Sequence, residues 1–164
     1  MKTIIRELYE YGQWANDRLL AVAATLDAEQ LGRKLTKGAD PILTTFGHLV
    51  SADIRWLARW RGETAPALSA ADYPSLDAVR QGWKEHYLVR RAYIASMDEA
   101  TLLEDMLWVR DQGSVKFPRW QAMVHCANHG TQHRSEIAAM LTDLGHSPGN
   151  MDMVIYYLDM ARRS

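Results

Sequence analysis

Apolar side chains recur every three or four residues along most of the chain, which is the spacing of an amphipathic helix. In the first window of this kind, Ile5, Leu8, Leu19 and Val22 fall on one stripe, with charged residues between them. The same spacing predicts five helices, at about residues 2–26, 41–61, 76–96, 118–145 and 151–162.

Residues that commonly bound helices support these limits. Ser75 can cap the N-terminus of the third predicted helix, Pro118 suits the start of the fourth, and Gly145 suits its end. Residues 27–32 are predicted to form a short turn, and residues 61–74, with two prolines, a linker. Two β-prone runs on either side of residues 111–113 predict a small hairpin or an extended crossing.

Four long amphipathic helices and a short fifth predict an all-α fold, a four-helix bundle with a short extra C-terminal helix. The chain has 164 residues, enough for a substantial core, and residues 1–164 are expected to form a single domain. No internal repeat or low-complexity tract interrupts it.

Charge and composition narrow the function classes. The net charge of −1 gives no support to nucleic-acid binding or to an anionic membrane partner. The single cysteine, Cys126, rules out an intrachain disulfide and fits a reducing compartment. Charged residues interrupt the N-terminal segment, so we expect neither a signal peptide nor a membrane span, and a cytoplasmic location.

Three of the six histidines, His125, His129 and His133, follow one another at four-residue intervals in the fourth predicted helix. Side chains four apart on a helix have Cβ atoms about 6 Å apart. Two such imidazoles can reach one metal ion at about 2.1 Å each. His125 and His133 are two turns apart, about 12 Å along the helix. One ion can therefore take an adjacent pair but not all three.

Helical phase selects His129 and His133 as that pair. At about 100° per residue, His133 falls inside the apolar arc of the helix and His129 near its edge. His125 lies toward the polar side and is interpreted as a boundary or surface residue. Because two imidazoles leave a divalent ion under-coordinated, a third ligand is expected from another helix.

The residues alone leave that third ligand open. His48 lies on the side of its helix opposite the apolar stripe, so periodicity does not select it as a buried ligand. His86 suits a position at the edge of the core, and His146 follows the fourth helix in a loop. The remaining candidates are Asp53, Glu85 and Cys126.

Two further groups have a structural and a functional interpretation. Cys126 could complete a ligand set with His129 and His133 on one helix, but its place in the apolar arc favours a small core residue. Four tryptophans could wall a substrate pocket, although most are expected in the core with one or two at a pocket rim: Trp56, Trp60, Trp83 and Trp120.

Four segments resemble the DinB/YfiT family of metal-binding four-helix bundles. They occur in the family's order and extend from near the start of the chain to near its end. The third is the most specific, with a histidine, then Asn-His, then His-Arg before a short apolar run and Leu-Gly. The segments are "YGQWANDRLL" (11–20), "FGHLVSADIRWLARW" (46–60), "HCANHGTQHRSEIAAMLTDLG" (125–145) and "SPGNMD" (147–152).

The resemblance implies a ligand set and an architecture. One ligand histidine comes from the second helix and two from the fourth, and by position these are His48, His129 and His133. It also implies a long crossover between helices 2 and 3, and a homodimer. The family often has Gly-Gln after the His-Arg pair, where this chain has Ser135 and Glu136. Glu136 could accept a hydrogen bond from a ligand imidazole, but its place toward the polar side predicts a solvated carboxylate.

The resemblance also implies a small-molecule substrate and a divalent ion, with zinc or nickel suiting three imidazoles. Some relatives are S-transferases or isomerases that use bacillithiol, mycothiol or glutathione, and hydrolase activity is often attributed to the family. We expect thiol transfer, because no carboxylate is placed as a general base for water: Asp53 lies on the other helix face from His48, and Glu136 is expected to point outward. The alternatives are a hydrolase using metal-bound water and a non-catalytic metal-binding protein of a stress response.

Overall fold

The computed structural model describes residues 1–35 and 40–163. Four long helices dominate these residues, and three short helices, a 3₁₀ turn and a β-hairpin connect or flank them. The elements are α1 (Lys2–Ala23), α2 (Ala28–Gly32), α3 (Ile42–Trp60), the 3₁₀ turn (Ala70–Asp72), α4 (Leu76–Ser96), α5 (Glu99–Leu103), β1 (Asp105–Arg110), β2 (Gly113–Pro118), α6 (Arg119–Asp143) and α7 (Met153–Ala161). The predicted helical bundle with a short C-terminal helix is confirmed.

The second and third long helices, α3 and α4, run parallel to each other. The ring of Phe46 packs edge-on against Trp83 at a centroid distance of 5.8 Å. Farther along both helices, the Tyr93 hydroxyl donates to the carbonyl oxygen of Trp60 at 2.7 Å. Parallel neighbours need a connection that returns along the bundle, and residues 61–75 form it. The long crossover implied by the family resemblance is therefore confirmed.

The fourth long helix, α6, runs antiparallel to α3. At one end, Nε of Arg119 donates to the carbonyl oxygen of Trp60 at 3.0 Å. Toward the other end, His48 meets His129 and His133. The first half of α3 therefore faces the middle of α6, and the shared groove carries histidines from both helices.

Two apolar clusters fill the bundle. One contains Trp83 and the other Trp60, whose side chains are 2% and 1% exposed. Cys126 belongs to the second cluster, where it is 5% exposed. Helix α7 packs separately against α1 through Trp14, Ala15 and Tyr156.

Local hydrogen bonds explain the helix ends and two errors of the sequence analysis. The Ser75 side chain accepts a hydrogen bond from the backbone N–H of Ala78, so the predicted N-cap is confirmed.

The predicted turn at residues 27–32 is wrong, because Asp27 and Gln30 form a reciprocal capping box that begins α2. Helix α5 was not predicted, although Asp98 caps it by accepting from the backbone N–H of Thr101.

The predicted hairpin is confirmed as a two-stranded antiparallel sheet between α5 and α6. Its register pairs Met106 with Phe117 and Trp108 with Val115. The backbone N–H of Arg119 donates to the carbonyl oxygen of Glu104 at 2.9 Å, which closes the hairpin at the start of α6. Among the described residues, no helix is both long enough and apolar enough to cross a bilayer.

Candidate metal centre

His48 from α3 and His129 and His133 from α6 form one cluster in the groove between these helices. Nε2 of His129 lies 3.3 Å from Nε2 of His48 and 3.2 Å from Nε2 of His133. The ring centroids of His48 and His133 are 4.8 Å apart. All three side chains are half-buried, so the cluster opens toward the groove.

The spacing of these nitrogens suits a single divalent ion. In tetrahedral coordination with metal–nitrogen bonds of about 2.1 Å, ligand nitrogens lie about 3.4 Å apart. The two observed Nε2–Nε2 distances, 3.3 and 3.2 Å, are close to that value. Three histidine ligands would leave a fourth position for a small molecule. The arrangement is therefore compatible with an open metal site.

The cluster also favours neutral imidazoles, the form that binds metals. Burial, then the neighbouring His133 and His48, lower the pKa of His129 to about 4. Burial and His133 likewise lower the pKa of His48. At neutral pH both rings consequently have an unprotonated nitrogen with a lone pair for an ion.

Glu136 forms a hydrogen bond with the imidazole of His133, the third histidine of the cluster. This contact corrects the expectation that the Glu136 carboxylate is only solvated and points outward. Nδ1 of His133 lies 2.6 Å from Oε2 of Glu136. A carboxylate can only accept, so Nδ1 carries the proton and the lone pair of His133 lies on Nε2, inside the cluster. The amide of Gln132 contacts the other oxygen of Glu136 at 3.4 Å. The helical spacing of three residues brings these groups together despite the polar phase of Glu136.

The other candidate ligands of the sequence analysis lie elsewhere. His125 is exposed, and its ring centroid is 6.0 Å from that of His129. The Cys126 thiol is buried in the core, and burial raises its pKa well above the ordinary value. His86 is buried on α4, and Nδ1 of His146 lies 3.0 Å from the hydroxyl of Thr25.

The two remaining carboxylates are also away from the cluster. Asp53 accepts a hydrogen bond from the buried Arg90 at 2.8 Å, as part of an ion pair inside the bundle. Glu85 accepts a hydrogen bond from the side chain of Gln81 on α4. Neither carboxylate is therefore available beside the three histidines.

Aromatic rings continue the groove from the histidines toward the hairpin. Trp56 of α3 lies 5.5 Å from His125 and 5.3 Å from Trp108 of β1, between ring centroids. Trp56 and Trp108 are half-buried, whereas Trp60 and Trp83 belong to the core. Trp108 was not among the residues predicted from the sequence. Its signal is the two-residue alternation of β1, which places Trp108 on the same face as the buried Met106.

Comparison with known proteins identifies a family that this chain resembles along almost its whole length. The sequence model of the DinB family matches residues 1–162. Protein DinB of Bacillus subtilis (strain 168) is 26% identical over 157 residues, which cover 92% of this chain and 91% of the relative. The uncharacterized protein YizA of the same organism is 20% identical over 142 residues, or 87% of this chain and 89% of the relative.

Proposed function

The chain belongs to the DinB family, and from this membership and its three-histidine cluster we propose that it is a divalent-metal-dependent transferase acting on a low-molecular-weight thiol. His48, His129 and His133 are the proposed ligands. Zinc and nickel are the ions that suit three imidazoles best. The reaction joins the thiol sulfur to an electrophilic carbon, and the thiol proton and the leaving group of that carbon are released.

The convergence of three Nε2 atoms carries this proposal. Structural zinc sites are usually closed by four protein ligands that include cysteines, whereas catalytic sites keep one position open. Here three histidines converge, and the single cysteine lies in the core. This donor set fits a site where a small molecule completes the coordination.

A divalent ion held there supplies Lewis acidity, which lowers the pKa of a thiol or water molecule bound at the open position. Three neutral ligands leave the full charge of the ion available for this effect. The protein contributes the fixed geometry of the imidazoles, and Glu136 keeps the His133 ring in one tautomer.

Thiol transfer is favoured over hydrolysis because the carboxylates of Glu136 and Asp53 already accept hydrogen bonds from other side chains. Hydrolysis normally uses a carboxylate or histidine near the water as general base. Glu136 accepts a hydrogen bond from His133, and Asp53 accepts one from Arg90. A thiol is already a strong nucleophile once it is deprotonated, and it has less need of such a base.

Metal content tests the ligand set directly. We expect about one zinc or nickel ion per chain by mass spectrometry of protein purified without an affinity tag. The variants His48→Ala, His129→Ala and His133→Ala should each lose it. His125→Ala is the matched control on the same helix and should keep the metal. Wild-type protein without metal, even after incubation with zinc or nickel, would contradict the proposal.

Activity separates the three functional interpretations. The metal-loaded protein and His48→Ala are compared with glutathione, bacillithiol or cysteine and 1-chloro-2,4-dinitrobenzene as electrophile, and separately with p-nitrophenyl acetate and no thiol. Metal-dependent loss of thiol supports the transferase. Metal-dependent ester cleavage alone indicates a hydrolase. If neither reaction occurs and removal of the metal unfolds the protein, the ion is structural.

A further inference from the structure

Two arginines follow His48 along α3, on the side that faces the groove. Arg55 is seven residues after His48, and Arg59 is four residues after Arg55. Because a helix turns once in about 3.6 residues, these positions lie roughly two and three turns from the histidine on the same side. The arginines therefore extend from the three-histidine cluster toward the hairpin.

Among the described residues, no carboxylate neutralises the charges of these arginines. In the part of the chain that the structure describes, neither Arg55 nor Arg59 forms an ion pair, whereas Arg90 pairs with Asp53 and Arg119 with Glu104. Like charges four residues apart on a helix repel each other. Burial lowers the pKa of Arg59, and the charge of Arg55 lowers it further. A bound anion would offset this repulsion by attracting both guanidinium groups.

Local contacts restrict both arginine side chains. Nε of Arg55 donates to the carbonyl oxygen of Ser51 at 3.2 Å. Cζ of Arg59 lies 5.0 Å from the ring centroid of Trp56, in a cation–π contact. A guanidinium that is already held in place loses less conformational entropy when it binds an anion. These contacts prepare the arginines for binding.

An apolar wall lies beside the arginines. Trp56 contacts Trp108 at 5.3 Å and His125 at 5.5 Å, and His125 lies 6.0 Å from His129. Aromatic rings therefore form a continuous series of contacts from the hairpin to the three-histidine cluster. A ligand whose charged group lies on Arg55 and Arg59 could place an apolar body against this wall and a reactive atom toward the histidines.

We propose that this segment of the groove binds an organic anion, with its charged group held by Arg55 and Arg59 and its apolar body against Trp56 and Trp108. The inference rests on the proposed function, because the anion would be a substrate of the thiol transfer at the adjacent site. The hairpin contributes Trp108 to this surface and thereby helps to determine which substrates fit.

Binding of naphthalene-2-sulfonate tests the proposal, measured by calorimetry on the full chain after incubation with zinc. Sulfonate is a poor metal ligand, so its affinity reports on the arginines. We expect 2-naphthol, which is neutral at pH 7, and methanesulfonate, which lacks the rings, to bind more weakly. Arg55→Gln and Arg59→Gln should each weaken sulfonate binding about tenfold or more, because each removes a charge-assisted hydrogen bond.

Two further variants distinguish the site from general attraction and from unfolding. Arg59→Lys keeps the positive charge and should retain more affinity than Arg59→Gln. Arg91→Gln removes an arginine that lies over Tyr87 on α4, outside the groove, and should bind like the wild type. Equal binding by the wild type and Arg59→Gln, or equal loss in Arg91→Gln, would overturn the proposal. Binding of 2-naphthol or methanesulfonate as tight as that of naphthalene-2-sulfonate would also overturn it.

Zinc content measured on the same samples separates this inference from the proposed function. Sulfonate binding that depends on Arg59 in a protein without zinc would leave the anion site standing and refute the metal-dependent transferase. One zinc per chain with no difference between the sulfonate and 2-naphthol would refute the anion site alone.

Discussion

At the scale of single residues, the hydrogen bond from Nδ1–H of His133 to Glu136 has the clearest consequence for the proposed metal site. It selects the tautomer whose Nε2 lone pair lies in the cluster. It also makes the imidazole a stronger electron-pair donor to a metal ion. We expect Glu136→Ala to weaken zinc binding about 10- to 100-fold, the usual effect of removing such a partner. Competition with a chromogenic chelator measures the zinc affinity.

Two variants sharpen this prediction. Glu136→Gln keeps an oxygen that can accept from Nδ1 but loses the charge, so its zinc affinity should fall between those of the wild type and the alanine variant. Asp143→Ala removes an exposed carboxylate from the same helix, far from the cluster, and should leave the affinity unchanged. Wild-type affinity in Glu136→Ala would show that packing alone orients His133.

Helical periodicity predicts some of these site residues and not others, for a physical reason. Phase on one helix selected His129 and His133, because it sorts residues by the face they share. His48 lies on the polar side of α3, and only the family resemblance pointed to it. Periodicity separates buried from exposed positions, whereas the residues of an open metal site lie on a half-buried face of the helix. The contact of Glu136 with His133 also depends on side-chain rotamers, which periodicity does not describe.

At the scale of elements, the crossover between α3 and α4 packs directly on the helix that carries His48. A Cβ atom on Gly47 would lie 2.6 Å from the backbone oxygen of Ala70, in the 3₁₀ turn of this crossover. Because that atom belongs to the backbone, it cannot move away as a flexible side chain would. The absence of a side chain at Gly47 thus permits the close approach of the crossover to α3.

We expect Gly47→Ala to lower the free energy of unfolding by about 1–2 kcal/mol, since steric strain exceeds the gain in helix propensity. Urea denaturation measures this change. Gly32→Ala is the matched control, because a Cβ atom there meets no other atom within 4 Å, and its stability should be unchanged or slightly higher. If both variants have wild-type stability, the crossover can shift without cost.

Sequence periodicity does not predict the short helices of this fold. The long helices were predicted to within three residues, because each repeats its apolar spacing over several turns. Helices α2 and α5 have five residues each, too few for a period to emerge. Their capping residues, Asp27 and Asp98, were the available signals. The hairpin was predicted because turn residues separate two β-prone runs.

At the scale of the whole molecule, the bundle buries charged and polar groups near its centre. Arg90 and Asp53 form an ion pair between α4 and α3, and the Arg90 side chain is 4% exposed. His86 lies one turn before Arg90 on α4 and is 6% exposed. Its Nε2 has no hydrogen-bond partner among the described residues. The fold therefore holds a neutral imidazole in an environment that opposes its protonation.

This environment predicts that acid destabilises the protein through His86. Burial lowers the pKa of His86 from 6.5 to about 4, with Asp53 opposing this shift and Arg90 adding to it. Well above pH 6.5 the residue is neutral in both the folded and the unfolded protein and has no effect. As the pH falls from 6.5 to about 4, the unfolded chain takes up the proton first, so the free energy of unfolding decreases. The full loss is about 3 kcal/mol, at about 1.4 kcal/mol per pKa unit.

Urea denaturation of metal-free protein at several pH values between 7 and 4 measures this effect, with His86→Phe as the comparison. The lowered pKa values of His48 and His129 produce a decline of the same sign, but wild type and variant share it. The difference between the two pH profiles therefore isolates His86. We expect the variant to lose less stability toward acid, whatever its stability at pH 7. Parallel profiles would mean that the fold does not lower the pKa of His86.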